Sequence, residues 1–69
     1  MREDIIKRLF EEIKSSNLTY TEIAHRSGIS VVMLSQYKNN KKLPSLETFT
    51  KICIAIGSSA DYILGLKDY

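Results

Sequence analysis

Apolar residues recur along this chain at helical rather than strand spacing. Ile5, Ile6, Leu9, Phe10 and Ile13 fall at i, i+1, i+4, i+5 and i+8, a single stripe from which Lys7, Arg8, Glu11, Glu12 and Lys14 are excluded. The spacing predicts a supporting helix within residues 1–16, broken at Ser15-Ser16-Asn17, where Asn can take a left-handed cap. Thr19 followed three residues later by Glu22 is a capping-box signature and starts a second helix at about Tyr20–Ser27. Within it Ile23 and Ala24 turn inward, and Gly28 supplies the positive φ of a sharp turn. Ser30 caps a third helix from Val31. At roughly 100° per residue, Met33, Leu34 and Tyr37 share one arc of it, while Val31, Val32, Ser35, Gln36 and Asn39 share the other. Ser45 caps a fourth helix, with Leu46, Phe49, Ile52, Cys53 and Ile56 on one arc and Gly57 as its stop. Ser59 caps a last short helix, Ala60–Leu64, closed by Gly65. The expectation is an all-α fold of five helices in a single domain, residues 1–69, with helices two and three forming a tight pair over residues 19–39.

That pair, with its surroundings, resembles the helix-turn-helix DNA-binding domain of the phage-repressor and Cro type. The resemblance lies in Leu18-Thr19, Glu22-Ile23-Ala24, Gly28-Ile29-Ser30, Leu34-Ser35, Tyr37 and Asn39, continues through Pro44-Ser45-Leu46-Glu47, and resumes at Asp61-Tyr62-Ile63-Leu64-Gly65. It implies a compact five-helix DNA-binding domain whose third helix enters the major groove and which binds as a symmetric dimer across two half-sites about 34 Å apart. Tyr20 stands where the family often has a Gln that reaches the DNA backbone, Asn40 where it frequently has Gly, and Cys53 where it has Ala. Val31 and Val32 depart from the polar or basic side chains that many relatives expose there.

Composition narrows the picture little, and charge more. A chain of 69 residues, 43% hydrophobic and 26% charged, is an ordinary small globular domain. No apolar run approaches the roughly 18 residues that span a bilayer, and no basic–apolar–small leader opens the chain, so a cytoplasmic location is expected. The lone Cys53 can form no internal disulfide. The net charge of +2 is small, but Arg26, Lys38, Lys41 and Lys42 lie between Ile23 and Leu46 without a single acid, leaving six bases against eight acids elsewhere. Such a patch would attract phosphate with a steep salt dependence. A merely solvated basic face would have the same composition.

These readings assign candidate roles. Val31, Val32, Ser35 and Gln36 are the candidate base readers: an apolar side chain can meet a thymine methyl and a Gln can bond adenine in bidentate fashion, so an A·T-containing half-site is expected. Valines packed against another protein, or simply tolerated at the surface, would leave the same sequence. Tyr20, Thr21, Lys38, Asn39, Asn40, Lys41 and Lys42 are candidates for the DNA backbone, with a packing role for Tyr20 equally open. Ile54, Tyr62, Leu66 and Tyr69 are candidates for a homodimer surface, and scattered exposed residues or a capped core edge would account for them too. His25 has no second histidine, cysteine or carboxylate at ligand spacing. No nucleophile–base pair, glycine-rich phosphate loop or metal set is present, so neither an enzyme nor a cofactor is expected. The function expected is a sequence-specific double-stranded DNA-binding transcriptional regulator, a repressor on a palindromic operator. An antitoxin or another protein-interaction module on the same fold, with a protein partner such as a toxin, is the alternative.

Overall fold

In the computed structural model, which describes residues 1–68, the helices are α1 Arg2–Ser15, α2 Tyr20–Ser27, α3 Val31–Lys38, α4 Leu46–Ile56 and α5 Ala60–Leu64, with no strand among the described residues. Four of the five starts use one device. The hydroxyls of Thr19, Ser30, Ser45 and Ser59 each accept the backbone N–H three residues on, at 3.1–3.3 Å, which satisfies a donor that a helix start otherwise leaves unpaired. At Thr19 the bond is reciprocal, because the Glu22 carboxylate accepts the Thr19 N–H at 3.0 Å. Those backbone and side-chain bonds hold the Glu22 carboxyl below its ordinary pKa, with Arg26 adding a smaller pull.

The turns that end the helices are equally local. Gly28 takes φ 68°, with its N–H bonded to His25 O at 3.3 Å and the Ile29 N–H to Ala24 O at 3.0 Å, a Schellman closure that aims α3 away from α2. No atom lies within 4 Å of where a Cβ would sit at Gly28, so the backbone angle and not space selects glycine. Asn40 repeats the closure at φ 59°, its N–H to Tyr37 O at 3.1 Å and that of Lys41 to Gln36 O at 3.0 Å. Asn17, at φ 61°, turns the chain between α1 and α2.

The inward faces meet in one core. Leu9 and Ile13 of α1, Ile23 and Ala24 of α2, Leu34 and Tyr37 of α3, Phe49, Ile52 and Cys53 of α4, and Ile63 of α5 are buried together, with Ile6 buried at the start of α1. Met33 and Ile56 are only half-buried but pack against it. Burial raises the pKa of both the Tyr37 phenol and the Cys53 thiol. Two long-range polar links fasten α5 and the turn before it to α1: Arg8 Nε donates to Ile63 O at 2.9 Å, and Ser58 Oγ donates to Glu12 Oε1 at 2.9 Å.

Leu46 departs from the expected core arc. It is 85% exposed, although Phe49, Ile52 and Cys53 on the same arc are buried. Leu46 is the first residue of α4, and helical side chains lean towards the helix N-terminus, so its side chain projects past the last turn that could cover it. No helix among the described residues is long and apolar enough to cross a membrane.

Ser27 is buried with its hydroxyl oxygen unpartnered. Ser27→Ala should therefore be neutral or stabilising by up to about 1 kcal/mol in urea unfolding, and a loss of more than that would show that the hydroxyl is bonded in solution. Thr19→Ala should raise the Glu22 carboxyl towards its ordinary pKa in an NMR titration. In the intact box, stability is complete above the unfolded carboxyl's titration range and falls away as pH drops through the lower folded value. An unmoved Glu22 titration in Thr19→Ala would mean that the Thr19 side chain contributes nothing to holding that carboxyl down and that the backbone N–H bond does so alone.

Candidate nucleic-acid interface

The two faces of α3 separate cleanly. Leu34 and Tyr37 are buried, which fixes the rotation of the helix and turns Val31, Val32 and Ser35 to the surface, with Gln36 half-exposed beside them. Val32 is 66% and Val31 41% exposed. The outer row of α3 is therefore two branched apolar side chains, one hydroxyl and one amide. Apolar atoms in such a row favour methyl groups, and the amide can both donate and accept.

The flanks are polar and basic. Lys38 ends α3, and Asn39, Asn40, Lys41 and Lys42 follow it, all exposed. Among the described residues no carboxylate pairs with Lys38, Lys41 or Lys42, whereas Lys51 is paired with Glu47 at 3.3 Å and Lys67 with Asp61 at 3.7 Å. Three neighbouring bases without an ion-pair partner thus cluster at the end of α3 and in the loop after it, whereas Lys7, Lys14 and Arg26, also without one among the described residues, are dispersed over α1 and α2. Thr21 is exposed in the first turn of α2. Tyr20 is half-buried and its ring stands edge-on to Phe10, with centroids 6.1 Å apart and an interplanar angle of 66°. The ring of Tyr20 therefore packs. Tyr20, Lys38 and Asn40 nevertheless line one groove of about 550 Å³ between α1, the start of α2 and the end of α3. The fold brings these three together from separate parts of the sequence.

One contributor to this edge has no signal in the local sequence pattern. Arg2 Nη2 donates to Asn40 O at 3.1 Å, so the first turn of α1 reaches the turn after α3. The remaining guanidinium donors add positive charge beside Lys41 and Lys42. The residues are 38 apart, and no periodicity or spacing argument links them.

Of the candidates for a self-association surface, Ile54 is 75% and Leu66 73% exposed. Tyr62 is half-buried and packs against the core, as expected of a capped core edge. Tyr69 lies outside the described residues. His25 is exposed, and no group of three or more His, Cys, Asp or Glu among the described residues is placed to hold a metal ion.

Comparison with known proteins adds a family and a relative. A helix-turn-helix family model matches residues 9–63, which is most of the chain. The cryptic phage CTXphi transcriptional repressor RstR of Vibrio cholerae serotype O1 is 33% identical over 61 residues, covering 88% of this chain and 54% of the relative. The chain spans about half the length of that curated relative. No solved structure matches the chain at a comparable level.

The Arg2 contact is testable without a ligand. Arg2→Ala should cost less than about 1 kcal/mol of stability, since the bond is exposed, yet should shift the amide resonances of Asn40 and Lys41. If those resonances stay in place, the bond is not populated in solution.

Proposed function

The chain belongs to the helix-turn-helix family, and from that premise we propose that it is a sequence-specific double-stranded DNA-binding regulator that represses transcription by occupying a palindromic operator as a dimer. The observation that carries this reading is the outward row Val31, Val32, Ser35 and Gln36 on α3, flanked on one side by lysines that no carboxylate neutralises. The relative named as a phage transcriptional repressor supports the same reading.

The chemistry divides by residue. α3 enters the major groove, where the valine methyls meet thymine methyls and the Gln36 amide bonds an adenine edge; Ser35 reaches a base or a phosphate. Lys38, Asn39, Asn40, Lys41 and Lys42, joined by Arg2, hold the sugar–phosphate backbone and set the register without conveying sequence. Thr21 and the start of α2 seat a second phosphate, since the first-turn N–H groups of a helix favour an anion. Tyr20 buttresses that start through its ring and offers its hydroxyl to the same backbone. The domain measures 28 × 24 × 20 Å, and half-sites one helical turn apart are separated by about 34 Å. One copy thus covers one half-site, and a palindrome takes two. Occupancy alone blocks a promoter, so the mechanism calls for no cofactor and no chemical step.

The exposed valines also favour a second reading: a protein-interaction module, such as an antitoxin that uses this face on a partner protein.

Gln36→Ala should lose on the order of 1–3 kcal/mol on the site the protein selects and relax preference at one base pair, while Lys41→Ala should weaken all duplexes alike and lower the salt slope by about 1. These effects are read by fluorescence anisotropy across a salt series. Equal effects of the two substitutions on selected and scrambled duplexes would contradict base reading by α3 and favour the protein-partner reading.

A further inference from the structure

We propose that the outer face of α4 is a self-complementary docking surface for the α4 of a second copy, packed antiparallel about a twofold axis at Thr50. Leu46, Thr50 and Ile54 lie at i, i+4 and i+8, a ridge about 12 Å long, and the two apolar ends of it are 85% and 75% exposed. Thr50 sits between them with its hydroxyl already donated to Leu46 O at 2.8 Å, so the middle of the ridge is small and its donor is satisfied. A flat, low crossing point between two apolar knobs is the profile that lets two helices approach closely.

Charge selects the occupant. The neighbouring ridge carries Glu47 and Lys51, one acid and one base a turn apart, paired within the helix at 3.3 Å. In an antiparallel pair centred on Thr50, Leu46 of one copy faces Ile54 of the other, and Glu47 lies about 3 Å along the axis from the level of the other copy's Lys51, within side-chain reach, so that two attractive Glu47–Lys51 pairs outweigh the single Lys51–Lys51 approach at the axis. A parallel pair would set like charges opposite each other. The ridge ends at a shallow cleft of about 270 Å³ lined by Arg26, Lys51, Ile54 and Ala55. It offers an apolar wall for a partner's Leu46 and two cations for its Glu47. A second copy supplies both groups from adjacent positions.

One helix face is smaller than the roughly 800 Å² per partner of a standard interface, so the free pair is weak and gains from two adjacent DNA half-sites. The surface deepens the dimeric reading above, and its test is run on the full chain without DNA so that the two stand or fall separately. By sedimentation equilibrium the wild type should show concentration-dependent dimerisation, and Ile54→Asp should abolish it with an unchanged far-UV CD spectrum. Glu47→Lys and Lys51→Glu should each be monomeric, because every cross-pair becomes repulsive. Their equimolar mixture should associate about tenfold or more tightly than either alone, since every cross-pair then becomes attractive. Mixing leaves the charge pattern within each helix untouched, so a purely structural role of the Glu47–Lys51 pair predicts no gain. A mixture that stays monomeric, or a wild type that stays monomeric to millimolar concentration, overturns the proposal. Binding of each variant to a duplex carrying one half-site reports on the DNA reading alone: loss there with a dimerising mixture would sink the regulator and leave this surface standing.

Discussion

The helix on which the proposed reading face sits is eight residues long. A segment of that length is far below what holds a helix together in water by its own hydrogen bonds, so the surroundings must supply the rest. They do so at three points: the Ser30 hydroxyl closes its start, Leu34 and Tyr37 lock its inner side into the core, and Asn40 closes its end in a left-handed turn. With these points fixed, the rotation of α3 is settled before any outward residue is chosen. Val31, Val32, Ser35 and Gln36 are then free to vary without loss of the fold. Separating a constrained inner face from an unconstrained outer one is what permits one scaffold to present many surfaces.

The same economy of local devices runs through the chain. Four hydroxyl caps and a set of left-handed closures define short helices whose ends are exact enough to sum to one core. Long-range polar links are few, and they fall at the margins: Arg8 on the end of α5, Glu12 on Ser58, and Arg2 on the turn after α3. Charge follows a related division. Pairs such as Glu47–Lys51 and Asp61–Lys67 lie away from α3, while Lys38, Lys41 and Lys42 have no such partner. Leaving charge uncompensated costs the isolated domain little at an exposed site, and it creates the field that would draw a polyanion.

What the sequence disclosed and what it concealed follow from the range of the forces involved. The capping box at Thr19 and Glu22, the serine caps, the left-handed turns and the inner residues of α3 are decided within a few residues and could be read directly. Leu46 shares the angular position of the core arc yet is exposed, because a helical wheel ignores where the helix begins. The packing of Tyr20 on Phe10 and of Tyr62 against the core depends on residues far away in sequence, so no local pattern shows it. Arg2 was out of reach, since its partner carbonyl is 38 residues away and no pattern encodes a side chain reaching a backbone oxygen at that distance. The groove shared by Tyr20, Lys38 and Asn40 was hidden for the same reason.

The central claim is that the outer row of α3 distinguishes one DNA sequence from another. Selection of random duplex DNA on the purified full chain, repeated at two salt concentrations, tests it most directly. The account predicts enrichment of A·T-containing half-sites related by a twofold axis and spaced by one helical turn, with the sequence preference retained at the higher salt while overall affinity falls. Binding that is salt-sensitive but blind to sequence would contradict it.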